Sequence, residues 1–415
     1  MTITISSHSA GSTVTGFPAP PSVDAARLDP VEAPPEDVPR DPLQRDDGDR
    51  PRRARPIDAR GAGDSGEPPV RFLHVVEQGT MVRRAGSRVV VTKKDAVLLD
   101  VPAMKMQGVL VYGNVQVSTQ CLRNLLEEGV WVSFFSRNGT YRGRLQPPSE
   151  RGGALRRRQW QRSADEAFCL QFAKAVVRGK ILSQKRVAAA YAKNYLAETL
   201  GSGHEILRES LDRVEDASDV AQLRGIEGNA TRAYFDLFRR WNRSSLPFDG
   251  RVKHPPTGPV NSLLSFGYVL LTREVEGLLE AAGLDPCVGF YHGPDNDRPS
   301  LACDWVEEFR HDGIDRLVLS LLNLGTIKAA DFEEPGEKRG VRLKPDALRK
   351  FLTAYERALT GRFPEVEPGT GSCGVRAVLL DQLGLLLDAL SGRDMYRTHL
   401  ELDIERADCS RGEAR

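Results

Sequence analysis

From residue 70 onward the chain runs through short apolar, β-branched stretches broken by turn residues. The segment "VRFLHVVEQGTMVRRAGSRVVVTKKDAVLLDVPAMKMQGVLVYGNVQVS" is punctuated by "QG", "AGS", "KKD", "VP" and "YGN", a spacing that predicts a small β unit. One helical interruption, "TQCLRNLLEEG", precedes the strand "VWVSFFS", the turn "RNG" and a last strand "TYRGRL", and "QPPSERGG" closes the unit. Phe72, Leu73, Val75 and Val76 are expected in its core and His74 on the strand surface.

After residue 150 the period becomes helical and stays so. Apolar positions recur at helical spacing over 164–194, 216–241, 258–284, 299–325, 344–359 and 375–392, joined by Gly- and Pro-bearing loops. The expected architecture is α+β: a small N-terminal β-sandwich over 70–149, then a larger all-α domain over 150–405. Residues 1–69 show neither period. They are proline-rich, with mixed charge as in "QRDDGDRPRRARP", and are expected to be a disordered tail, because so little apolar surface cannot offset the entropy of ordering.

Composition narrows the function classes only modestly. Lys+Arg 58 against Asp+Glu 57 gives a formal charge of +1, so any nucleic-acid contact must come from local clustering. The six cysteines are scattered without a C-x-x-C pair, which argues against a disulfide framework or a structural zinc site and fits a cytoplasmic protein. No apolar run is long enough to span a bilayer, and the N-terminus lacks a secretion signal, so no membrane partner is expected.

The acids of the helical region carry the candidate chemistry. Glu227 in "GIEGNATRAYFDLF" precedes Tyr234, Phe235 and Phe238, which read as the core side of a helix starting near Glu227. A carboxylate there either caps that helix, worth about 0.3–1 kcal/mol, or meets a partner in the interior. In "GFYHGPDNDRPSLACDWVEEFRHDG", His292 follows an apolar run and a helix then bears Asp304, Glu307 and Glu308. Positions three and four apart share a helical face, so these like charges call for a compensator. Arg310 and His311 supply one, as a surface ion-pair ladder. A divalent cation held by Asp304, Glu307, His292 and Glu227 is the other; carboxylates with one imidazole suit Mg²⁺ or Mn²⁺. Spacing leaves both open. The dipeptide His311-Asp312 is a weak phosphohydrolase signal and is expected at a helix C-terminus, facing solvent.

Taken together, "GIEGNATRAYFDLF", "PPTGPVNSLLSFGYVLL", "GFYHG" and "SLACDWVEEFR" resemble, in order and spacing, the CRISPR-associated spacer-acquisition integrase, the metal-dependent endonuclease subunit of the CRISPR adaptation complex. The resemblance covers residues 70 to about 400 and extends to "GNVQVS", "LLEEGVWVSFF", "RRRQW", "NLGTIKAADFE" and "GVRLKPDALRKFLTAYERAL". It implies a β-sandwich joined to a helical catalytic domain. It also implies Glu227, His292 and Glu307 as ligands of Mg²⁺ or Mn²⁺, with Asp304 as an acid that assists or orients and Glu308 paired with a basic neighbour. His292 as a proton acceptor is an alternative. The implied reaction joins a DNA 3′-hydroxyl to a target phosphodiester, inserting foreign fragments as new spacers into a CRISPR array, or delivers water to the same kind of phosphorus. The implied partners are prespacer duplex with 3′ ends, CRISPR repeat DNA, a second copy of the chain joined through the β unit, and the small ferredoxin-like second subunit.

A DNA enzyme needs a positive surface. "ERGGALRRRQWQR" offers Arg156, Arg157, Arg158 and Arg162 around Trp160, and "VVRGKILSQKR" adds Arg178, Lys180, Lys185 and Arg186. Clustered cations with an aromatic are the footprint of phosphate contact, against the alternative of a solubilising helix face. Two rival functions stand beside the integrase: a catalytically idle DNA-binding scaffold, which would have no reason to keep all three ligands, and an RNA-processing nuclease.

Overall fold

A computed structural model describes residues 72–403, apart from 95, 104–105, 148–151, 193–200, 253–255, 257, 294–297, 334–339 and 361–373. The expectation for residues 1–69 lies outside the described residues.

Eight strands come first: β1 (Phe72–Val75), β2 (Met81–Ala85), β3 (Arg88–Lys93), β4 (Ala96–Pro102), β5 (Gly108–Tyr112), β6 (Gln116–Val117), β7 (Trp131–Phe135) and β8 (Tyr141–Leu145). Helix α1 (Thr119–Glu127) interrupts them where the sequence predicts it, capped by the Ser118 hydroxyl accepting from the Cys121 amide. The strands form two sheets, β1-β5-β7-β8 and β4-β3-β2-β6. Leu73, Val75, Val82, Val89, Val91, Val109, Val111 and Val132 fill the space between them, so the expected sandwich is present.

The first sheet is mainly parallel, and β1, β5 and β7 are buried on both faces. Successive side chains alternate between faces: Leu73 and Val75 point into the sandwich, while Phe72, Leu110, Tyr112, Trp131 and Phe135 join the helical core. This arrangement corrects the expectation for His74. Its face is covered by helices rather than solvent, and only 4% of the residue is exposed. Its Nδ1 lies 3.1 Å from the Tyr112 hydroxyl and its Nε2 2.8 Å from Glu356. Val76, expected in the core, is only partly buried.

The helical part comprises α2 (Gly152–Ser163), α3 (Glu166–Ala192), α4 (Gly201–Asp216), α5 (Val220–Trp241), α6 (Pro259–Ala281), α7 (Ser300–Val306), α8 (Arg316–Asn323), α9 (Pro345–Thr360) and α10 (Val375–Leu390), with a short ribbon of β9 (Phe332–Glu333) and β10 (Arg342–Leu343). Helix α4 was not among the expected segments: only Leu207, Ser210 and Val214 are fully buried on it, a face too sparse to mark the period. The continuous helix expected over 299–325 is broken. Helix α7 stops at Val306, and a π-helical turn over His311–Asp315 precedes α8. Such turns widen the helix and re-aim side chains, and every residue of this one is buried.

The two parts are fastened by charge as well as by apolar packing, Arg144 of β8 pairing with Glu276 of α6 at 3.1 Å and Arg349 of α9 with Glu77 at 2.9 Å, and a charge cluster of the helical part lies under Phe72 of β1. Arg376 of α10 donates to Glu274 of α6 at 2.9 and 2.8 Å and to Glu356 of α9 at 2.7 Å twice, while its guanidinium lies 4.2 Å from the centre of the Phe72 ring. Tyr355 adds a hydroxyl bond to Glu274 at 2.9 Å. Paired, bidentate geometry is what makes burial of these charges tolerable.

Candidate active site

Helix α5 is capped by Asp219, which accepts from the Gln222 amide at 2.9 Å. Glu227 therefore lies well inside the helix, and neither the helix start expected near it nor the capping role survives. What it meets instead is the Lys180 ammonium of α3 on Oε1 and the Tyr291 hydroxyl on Oε2. The same ammonium lies 2.9 Å from Glu307 Oε2. That oxygen is buried and receives no hydrogen bond of acceptable geometry, so its partner there is a charge at ion-pair distance. Arg310 holds the other Glu307 oxygen at 3.0 Å. Burial alone would push both carboxyls up. For Glu227 the Lys180 charge and the hydrogen bonds from Lys180 and Tyr291 together overcome burial, and for Glu307 Arg310, Lys180 and His292 together do, so both are held below the ordinary carboxylate range.

Asp304 does not stack on Glu307 as a helical ladder would have it. It is fully buried and gathers the preceding loop: Oδ2 accepts from the amides of Phe290 at 2.8 Å and Tyr291 at 3.0 Å, and Oδ1 from the amide of His292 at 2.8 Å. The His292 ring closes the set, with Nδ1 2.6 Å from Oδ1. This fixes the ring and turns Nε2 to other uses, the arrangement by which a carboxylate orients a ligating histidine. Burial, the largest single influence, works against protonation of His292, but the Asp304 hydrogen bond together with the charges of Asp304, Glu307 and Glu227 overcomes it and raises the imidazole above its usual range. The loop packs so closely that a Cβ on Gly289 would fall 2.8 Å from Asp304 Oδ2 and from the Ser300 backbone.

The break after α7 sends the neighbouring acids apart. Glu308 turns away from Glu307 to accept from the Tyr396 hydroxyl at 2.9 Å and the His399 amide at 2.7 Å, and pairs with the His399 ring. Its partner is thus a histidine distant in sequence. His311 and Asp312 are buried, not solvent-facing: His311 Nδ1 lies 2.7 Å from Asp315 and its Nε2 3.2 Å from Gln184, while Asp312 pairs with Arg186 at 3.1 Å. Their burial follows from the π-turn, which packs against α3. Asp315 also accepts from Tyr268 at 2.5 Å, and Arg310 lies over that ring at 4.7 Å, so a buried polar layer backs Glu307.

The structure thus brings Glu227 and Glu307 together through Lys180, with His292 fixed by Asp304 beside Tyr291. Among the described residues, no three His, Cys, Asp or Glu side chains converge on a single cation position; the Lys180 ammonium stands between the two glutamates.

Comparison with known proteins follows the same region of chain. Residues 73–357 match the family model for CRISPR associated protein Cas1. The chain belongs to the Cas1 family. A curated relative named CRISPR-associated endonuclease Cas1 1, from Chlorobaculum tepidum, is 34% identical over 292 residues, covering 69% of this chain and 85% of that protein. Among solved structures, a Cas6-RT-Cas1–Cas2 complex superposes with a TM-score of 0.69 at 23% identity, over 81% of this chain; the chain spans only 36% of that one. A casposase bound to integration product superposes with a TM-score of 0.64 at 21% identity, covering 79% of this chain and 92% of that one. Likeness at this level of identity carries the Cas1 fold.

The basic residues separate into two groups. Arg156, Arg157 and Arg158 are exposed on α2 beside Trp160, itself 58% exposed. Arg162 is half-buried, pairs with Asp165 at 3.4 Å and lies over the Phe168 ring. On α3, Arg178 is tied to Glu215 and Glu401, Arg186 to Asp312, and Lys185 is partly buried. Sequence reasoning missed two members of this Cas1 site. Lys180 sat in a basic run and was grouped with the surface cations, although an α3 buried on most sides leaves it 5% exposed. Tyr291 sat within "GFYHG" as one more aromatic. The available signal was adjacency: the residue before a candidate ligand shares its loop.

Proposed function

We propose that this chain is a metal-dependent DNA endonuclease and integrase of CRISPR adaptation, inserting foreign DNA fragments as new spacers by attack of a 3′-hydroxyl on a phosphodiester. Membership of the Cas1 family supports this reading. The observation that carries it is the pair Glu227 and Glu307, drawn from distant parts of the chain to one buried cation, with His292 held alongside by Asp304.

The donor set fits Mg²⁺ or Mn²⁺: two hard carboxylates with one borderline imidazole leave coordination positions open, and Glu307 Oε2 is a buried oxygen met only by an ammonium 2.9 Å away. Glu227, His292 and Glu307 are the ligands in this reading. The bound cation would lower the pKa of the attacking oxygen and steady charge at the phosphorus. Asp304 keeps the imidazole oriented, Tyr291 donates to Glu227 and fixes its rotamer, and Arg310 neutralises the far side of Glu307. The exposed arginines of α2 hold duplex phosphates, with Arg162, Arg178, Lys185 and Arg186 as the flank of that surface. Prespacer and repeat DNA, a second copy joined through the β-sandwich, and a small ferredoxin-like subunit complete the assembly, which works in the cytoplasm. Among the described residues no helix is long and apolar enough to cross a membrane.

Glu227→Gln and His292→Ala tested with a fluorescent duplex and a repeat-bearing target should each lose Mn²⁺-dependent strand transfer by at least a hundredfold while duplex affinity stays within threefold. Near-normal joining by either variant would overturn the assignment.

A further inference from the structure

Lys180 is a charge inside the site that a bound cation does not need. Its ammonium lies between Glu227 and Glu307, its side chain is 6% exposed, and Arg310 already neutralises the outer oxygen of Glu307. A divalent ion entering between the same carboxylates would meet a like charge in the position it must take. The ammonium therefore has to leave, and exposure shows the way out. Glu307 is 5% exposed at the side chain, Glu227 17% and His292 37%, so the site opens along that line. A displaced ammonium on a long flexible stem needs a new anion there, and the anion that arrives with DNA is a phosphodiester oxygen.

We infer that Lys180 is the site's exchangeable counter-ion: it holds Glu227 and Glu307 in place in the metal-free protein and moves to a phosphodiester oxygen of the DNA when cation and duplex bind. The inference rests on the metal reading above, and it adds a positioning residue that couples cation binding to DNA binding.

Mn²⁺ binding by the full chain, followed by electron paramagnetic resonance with and without a dideoxy-ended duplex, tests it. Lys180→Met should bind Mn²⁺ at least tenfold tighter than wild type without DNA, because no ammonium has to be expelled. Addition of duplex should tighten Mn²⁺ binding in wild type by at least fivefold more than in Lys180→Met. Equal or weaker Mn²⁺ binding by the variant, or equal coupling to duplex, would overturn the inference. Lys180→Gln, neutral but still able to donate, should behave like Lys180→Met. If neither variant folds, reductive methylation of wild type read by mass spectrometry decides: Mn²⁺ alone should speed labelling of Lys180 and duplex should suppress it again, whereas labelling unchanged by Mn²⁺ overturns the idea. A wild type that binds no Mn²⁺, or a Glu227→Gln variant that binds it equally well, sinks the metal reading itself. Glu227-dependent binding without tightening in Lys180→Met sinks the role of Lys180 alone.

Discussion

Asp304 offers a sharp separation between holding a site and belonging to it. Its carboxylate accepts four donors, the amides of Phe290, Tyr291 and His292 and the His292 ring, and it is fully buried. In Asp304→Asn one oxygen becomes an amide that can only donate. Turned towards the Phe290 and Tyr291 amides, the new NH₂ faces two donors; turned towards His292 it faces one, because the ring can switch tautomer and accept at Nδ1. Hydrogen bonds to a charged acceptor contribute about 1.5–3 kcal/mol each, so the lost bond together with the weakening of the others on a now neutral acceptor places the cost at about 3 kcal/mol. For a chain of this size, 3 kcal/mol lowers the melting temperature by about 4 °C. The effect on Mn²⁺ should be indirect: misorienting a ligating histidine typically costs about 10–100-fold in affinity, whereas Glu307→Gln removes a ligand and should abolish binding at that site. Calorimetric melting and Mn²⁺ titration of the two variants make the comparison. If Asp304→Asn melts within 1 °C of wild type, Asp304 is not the hub of the loop; if it abolishes Mn²⁺ binding as completely as Glu307→Gln, Asp304 is a ligand.

Two further predictions concern the rest of the chain. Arg376→Met leaves Glu274 and Glu356 facing each other under burial and should destabilise the protein by about 3–5 kcal/mol at pH 7 in urea unfolding. The two acids then raise each other's pKa, so the deficit should shrink as pH falls from 7 towards 5. In wild type, burial raises the Glu356 carboxyl, but the bonds and charge of Arg376 together with His74 overcome it, taking it from 4.5 down to about 2. That contribution is complete above pH 4.5 and is lost only as pH falls through about 2; parallel stability curves for the two proteins between pH 5 and pH 7 would refute the argument. Replacing Arg156, Arg157 and Arg158 together should weaken duplex binding and reduce its salt slope by up to about 0.9 per lost phosphate contact, and an unchanged slope would return α2 to a solubilising role.

The β-sandwich and most helices were legible because their signals are local. Short β-branched runs and turn residues mark the strands of the sandwich, and the apolar stripe of α5 survives any uncertainty about where the helix begins. The misreadings of His74 and of His311-Asp312 share a different cause: both concern what covers a face. His74 looks like a solvent-side strand residue until a helical layer supplies Glu356 and the Tyr112 hydroxyl beneath it. His311 and Asp312 look like a polar helix end until the π-turn presses them against α3. The break between α7 and α8 leaves only a faint trace in the sequence: Trp305 and Phe309 are four apart and Ile314 and Leu317 three apart, and the five-residue step from Phe309 to Ile314 is the one departure from the helical period.

At the site, residue type made the acids and the histidine candidates, since a carboxylate followed by an aromatic face or a histidine after an apolar run asks for a partner, and only the family resemblance implied which of them act together. It could not identify Lys180. A lysine within "VVRGKILSQKR" has the same local pattern whether it faces solvent or core, and the two options differ only in the disposition of α3 relative to α5 and α7. Burying an ammonium is costly unless carboxylates meet it, so the presence of Glu227 and Glu307 on neighbouring elements is what makes a buried Lys180 tolerable, and Lys180 in turn makes two adjacent carboxylates tolerable. Each of the three charges is explained by the other two, with Arg310 on the far oxygen of Glu307; the acids read along the chain call for a positive charge and offer Arg310, three residues on, without showing that Lys180 stands between them.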